Sequence, residues 1–168
     1  MKKVFCILAL AAVPVTGMAD GNHNHGKPQG GGQPAMHGMH HGSGDGAVGR
    51  PGDPAKVART IEIVMGDDLR FTPAQIKVKA GETIRFFLRN TGKTEHELVI
   101  GSMAELKEHA DMMRAHPDMK HDEPNMARVA PGKRGGLVWQ FTKAGTVDFA
   151  CLLPGHFEGG MRGQVRVE

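Results

Sequence analysis

The chain has little cysteine, no long apolar run and almost no net charge once its first residues are set aside. Two cysteines in 168 residues, Cys6 and Cys151, cannot build a disulfide framework. The longest apolar run, residues 4–15, is well short of the roughly 20 residues that a membrane helix needs. No membrane span is expected. A nucleophile–base pair and a phosphate-cradling glycine loop are also missing, and "HELVI" puts Ile100 where the zinc-protease pattern HExxH wants its second histidine. No enzyme is expected.

What is present begins with Met1-Lys2-Lys3, the apolar run and then Gly17-Met18-Ala19, a positive start, apolar centre and small-x-small exit that reads as a secretory signal peptide over residues 1–19. Cys6 lies inside the apolar run rather than after a lipoprotein-type cleavage point, so it leaves with the signal. Removing Lys2 and Lys3 from the 21 basic residues leaves 19 against 18 acidic ones. Such a balance favours neither nucleic acid nor a membrane surface as partner. Export to the periplasm is the expectation, which leaves Cys151 alone in an oxidising compartment. A bound metal would protect it.

Residues 20–56 are rich in Gly, Pro, Gln and His and offer almost nothing to bury, so a flexible, disordered tail is expected. Within it "MHGMHHG" interleaves Met36, His37, Met39, His40 and His41, thioether and imidazole donors that suit copper. A solvated linker is the other reading. From residue 57 to 168 short apolar alternations are separated by turn residues: Ile61, Ile63 and Met65; Ile76 and Val78; Ile84, Phe86 and Leu88; then "HELVIG", "GGLVWQFT", "GTVDFACLL" and "GQVRVE". About seven strands of this kind predict an all-β sandwich.

One stretch interrupts the pattern, at about residues 102–126. Ser102 and Glu105 have capping-box spacing, and residues 104–115 are helix formers that stop before Pro117. On that helix His109, Met112, Met113 and His116 share a face, with Met119, His121 and Met126 expected in the loop beyond. Two readings stand: packing of Leu106 and the methionines against the sandwich, or an auxiliary copper site.

The chemistry concentrates in "CLLPGHFEGGM", residues 151–161. A thiolate, two imidazoles and a weak thioether are the donors of a blue-copper centre. Cys151, His156 and Met161 supply three of them around a turn set by Pro154 and Gly155, and His96, at the head of "HELVIG", is the best candidate for the second imidazole. On these residues the segment 57–168 resembles a cupredoxin, the Greek-key copper sandwich of the plastocyanin and azurin families, and "CLLPGH" is similar to the azurin and auracyanin form of the loop. The resemblance implies one copper, cycling between Cu(II) and Cu(I), held by His96, Cys151 and His156 with Met161 as axial ligand. It implies backbone N–H groups of Glu97 and Leu153 directed at the thiolate. The chain departs from the pattern at Glu95, where azurins have glycine, and at Glu97, where many members carry asparagine; a greener site is one expectation from this.

Those departures, the insertion and the tail resemble periplasmic cupredoxins of bacterial copper tolerance. That implies copper ions as partners, with a redox partner or a copper-handling protein beside them. Electron transfer through a single copper is the alternative, with Leu152, Leu153 and Phe157 as a docking face.

Overall fold

The computed structural model describes residues 48–117, 119 and 122–168. The expected signal segment 1–19, the expected tail to residue 47 with Met36, His37, Met39, His40 and His41, and His121 lie outside the described residues. Strands β1 (Arg50–Pro51), β2 (Arg59–Met65), β3 (Phe71–Thr72), β4 (Gln75–Val78), β5 (Thr83–Asn90) and β6 (His96–Gly101) precede helix α1 (Met103–Ala115). Strands β7 (Met126–Val129), β8 (Arg134–Gln140), β9 (Gly145–Ala150) and β10 (Arg162–Val167) follow.

These strands form two five-stranded sheets, ordered β1-β8-β5-β2-β3 and β4-β10-β9-β6-β7. Pairing is antiparallel except for β2 with β5 and β4 with β10, the crossovers of a Greek-key sandwich. The alternations read from the sequence face the space between the sheets: Ile63, Met65, Ile76, Val78, Ile84, Phe86 and Leu88 join Trp139, Phe149 and Val165 in one buried core. Period-two patterning predicts this, since alternate residues of a strand share a face.

Three short strands carry no such signal. Strands β1 and β3 are two residues each, and β7 is "MARV", fully buried only at its two ends and interrupted by Arg128. Met126 is therefore not in a loop as expected; it pairs with Val99 at the edge of the second sheet and is 8% exposed. The sandwich also starts earlier than residue 57. Arg50 and Pro51 pair with Gln140 and Trp139, and the Trp139 indole N–H donates to the Val48 carbonyl at 2.7 Å. A buried indole needs an acceptor, and the stretch assigned to the tail provides one.

Helix α1 has the predicted start: the Ser102 hydroxyl accepts from the Glu105 N–H and the Glu105 carboxylate accepts from the Ser102 N–H. Such a box satisfies two donors that a helix otherwise leaves open. The helix lies over the outer face of the second sheet, where Leu106 and Ala110 join Val99, Met126, Ala150 and Leu152 in a smaller buried cluster. Strand β6 is consequently buried at all six positions, Leu98 and Ile100 toward the main core and Val99 toward the helix side.

Candidate metal centre

The ligand loop leaves β9 at Cys151 and re-enters β10 just after Met161. Its base is closed by main-chain bonds: the Cys151 N–H donates to the Met161 carbonyl and the Met161 N–H to the His156 carbonyl, each at 3.0 Å. Gly155 and Gly160 take φ of +84° and +94°, which a side chain would oppose, and these two residues let the turn reverse within so few residues. Arg70 adds an outside brace, donating to the Gly159 carbonyl at 2.8 Å. The loop is thus closed by its own main chain and braced from outside.

His96 begins β6 in the same sheet, two strands from β10, and its ring meets that of His156 with centroids 5.0 Å apart. The two Nδ1 atoms are 3.3 Å apart, and His156 Nδ1 lies 3.2 Å from Cys151 Sγ. One nitrogen of each histidine and the cysteine sulfur fall within 4.8 Å of one another, the only such group of His, Cys, Asp and Glu among the described residues. Donors bound to a single ion at about 2.0–2.3 Å stand roughly 3–4 Å apart. The spacing fits one metal. Met161 is 0% exposed and belongs to the core beside Cys151, so all four expected ligands come to one end of the sandwich, with His156 alone half-buried.

The thiol's surroundings speak for a cation. Burial pushes Cys151 up to about 12, although the N–H groups of Glu97 and Leu153 both favour the thiolate. The first donates to Sγ at 3.4 Å. These are the two N–H groups named from the sequence. Burial also lowers both His96 and His156, so each ring is held in the neutral form that binds metal. A neutral pair of imidazoles beside a buried sulfur that gains from a nearby positive ion is the donor chemistry of a soft-metal site.

Glu97 occupies the place where asparagine is common, and its carboxylate is 0% exposed. One oxygen accepts from the Leu152 N–H at 3.2 Å; the other accepts from Arg128 Nη2 and Nε at 3.0 and 3.1 Å. It therefore ties the residue after one ligand, His96, to the residue after another, Cys151, with Arg128 balancing the charge. Sequence reading noted Glu97 but missed Arg128, which lies on the unrecognised strand β7.

Among the described residues, His109 and His116 join no such group. Met113 is 1% exposed against the second sheet, His109 and Met112 are half-buried, and His116 and Met119 are exposed. The helix end is nonetheless fastened to the ligand loop by the Arg114–Glu158 ion pair. The expected docking face changes too. Leu152 is 1% exposed inside the smaller cluster, and Phe157 is half-buried with the Arg162 guanidinium 5.1 Å above its ring.

Residues 57–168 match the family model of copper binding proteins of the plastocyanin/azurin family. The chain belongs to that family, and His96, Cys151 and His156 form the candidate site for its copper. Among its relatives is the copper-resistant cuproprotein CopI of Rubrivivax gelatinosus, 51% identical over 164 residues that cover 98% of this chain and 94% of that protein. A protein of the same name from Pseudomonas aeruginosa is 40% identical over 151 residues, covering 73% of this chain and 83% of the relative. Among solved structures, auracyanin B superposes with a TM-score of 0.60 at 22% identity over 71% of this chain and 96% of its own, a likeness of fold.

Proposed function

We propose that this chain is an exported copper-tolerance protein of the periplasm, which binds copper ions at His96, Cys151, His156 and Met161 and gathers more through its tail and helical insertion. The observation that carries this reading is the extent of the likeness to the Rubrivivax gelatinosus copper-resistant cuproprotein, 98% of the chain, which takes in the tail and insertion as well as the sandwich. The auracyanin B likeness covers 71%. A plain copper carrier has no evident need of the remaining donors. In this reading the chain catalyses no reaction of its own; the centre holds copper as Cu(II) or Cu(I), and a cuprous-oxidase role would require a redox partner.

Electron transfer through the single centre is the second reading. The half-buried edge of His156 favours it, because that ring is the most accessible of the four ligands.

Copper titration of the mature protein, with metal counted per chain and growth on copper measured in parallel, separates the two. Uptake beyond one copper, and loss of tolerance on deleting residues 20–47, supports tolerance with auxiliary binding. One copper per chain and tolerance untouched by either that deletion or Cys151→Ser would sink it in favour of electron transfer.

A further inference from the structure

His96 is 0% exposed, so neither ring nitrogen can rely on bulk water, and each must find its partner inside the protein. Nδ1 faces His156 and the sulfur. Nε2 points the other way, to Thr94 Oγ at 3.3 Å, and that hydroxyl lies 3.1 Å from Asp67 Oδ1. Asp67 itself stands 4.0 Å from Nε2, too far for a hydrogen bond, so the hydroxyl has to bridge them.

The direction of the chain follows from donor counting. An ionised carboxylate only accepts and a hydroxyl has one proton to give. Thr94 gives its proton to Asp67, and its oxygen is left to accept from His96. Nε2 must then carry the ring proton, which leaves the Nδ1 lone pair free on the side of Cys151 and His156.

Asp67 is built into place for this. Its carboxylate accepts from the Lys93 N–H at 2.8 and 3.0 Å and from the Thr94 N–H at 3.3 Å. Gly92 makes the room, since a Cβ there would fall 2.4 Å from Asp67 Oδ1. The anchor sits in the turn between β2 and β3, remote in sequence from every ligand.

We propose that Asp67 and Thr94 are positioning residues of the copper centre, holding His96 as the Nε2–H tautomer and presenting Nδ1 to the metal. This deepens the copper-binding reading and rests on it. A carboxylate behind a ligating imidazole also makes the ring a stronger donor. The benefit is larger for the more highly charged ion, so the relay favours Cu(II) over Cu(I).

The test has one arm without metal and one with it. In the metal-free, ¹⁵N-labelled full chain, imidazole nitrogen shifts should report His96 as Nε2–H, and Thr94→Val should mix in the other tautomer. With copper, Thr94→Val should weaken Cu(II) binding by roughly 10- to 100-fold, weaken Cu(I) binding less, and so raise the reduction potential. Thr94→Ser keeps the hydroxyl and should restore all three readings. Gly92→Ala displaces Asp67 without touching Thr94 or His96 and should shift them in the same direction as Thr94→Val. An Nδ1–H tautomer in the parent protein, or a Thr94→Val protein with unchanged Cu(II) affinity and potential, overturns the proposal. Failure of the tolerance reading would appear in cells and leave these measurements as they are.

Discussion

Two stretches of this chain are rich in soft donors, the ligand loop at 151–161 and the insertion at 102–126, and they use those donors in opposite ways. In the loop, two main-chain closures and a carboxylate clamp bring a sulfur and imidazole nitrogens within 4.8 Å, taking His96 from a neighbouring strand. In the insertion, the helix sets the donors on one face but at different depths: Met113 is 1% exposed, Met112 and His109 are half-buried, and His116 is exposed. Composition supplies donors, but only a closed backbone converges them. A helix that must bury one face also commits its best-placed thioether to packing.

The largest expected effect comes from removing the sulfur. Cys151→Ser should abolish the intense thiolate-to-copper absorption outright, while Met112→Leu with His116→Gln should leave that band intact and lower only uptake beyond the first copper. A band altered by the pair on the helix would erase the contrast between the two regions.

Next is the clamp. Arg128→Ala strands a fully buried Glu97 carboxylate, and breaking a buried pair from one side costs about 3 kcal/mol where, as here, the arginine keeps some exposure. Denaturant unfolding of the metal-free protein should register this loss. The double change Glu97→Gln with Arg128→Met should recover most of it, because no uncompensated charge remains. Equal losses in the single and double variants would mean that the ion pair, and not the stranded charge, governs stability.

Met113 probes the other region. Met113→Ala empties a place 1% exposed under α1 and should cost about 2 kcal/mol, and Met113→Leu, which keeps the volume, less than about 1.5. Both should retain the first copper with its band. Copper lost from the leucine variant at unchanged stability would make Met113 a ligand after all.

The smallest effect is on pH dependence. Burial lowers His96 and His156 in the fold, so below their ordinary value of 6.5 the unfolded chain takes up protons that the folded chain resists. Stability from these rings is complete above that value and drains away as the pH falls through the lowered folded values. Melting of the metal-free protein from pH 8 to pH 5 should show the decline, and His156→Gln should flatten part of it. A slope indifferent to His156 would locate the pH response outside the ligand rings.

Much of this architecture is legible in the chain because the signals are local. Ile84, Phe86 and Leu88 alternate, and so share the face that fills the core. Ser102 and Glu105 mark a helix start because a capping box lies within a single turn. The strands that escaped notice are those too short to alternate, β1 and β3, and β7, whose Arg128 breaks the apolar reading while serving Glu97.

The sequence by itself determined the kind of chemistry and most of its bearers: the spacing of Cys151, His156 and Met161 within one turn, and the alternation that makes a two-layered sandwich inevitable. Both are short-range facts, set by covalent reach and by the period of a strand. The tertiary structure alone decided which distant groups stand behind the ligands, Asp67 and Thr94 at His96 and Arg128 at Glu97, and which insertion donors are spent on packing. Hydrogen-bond partners across sheets and turns are chosen by where the folded backbone brings them, and no local pattern records that choice.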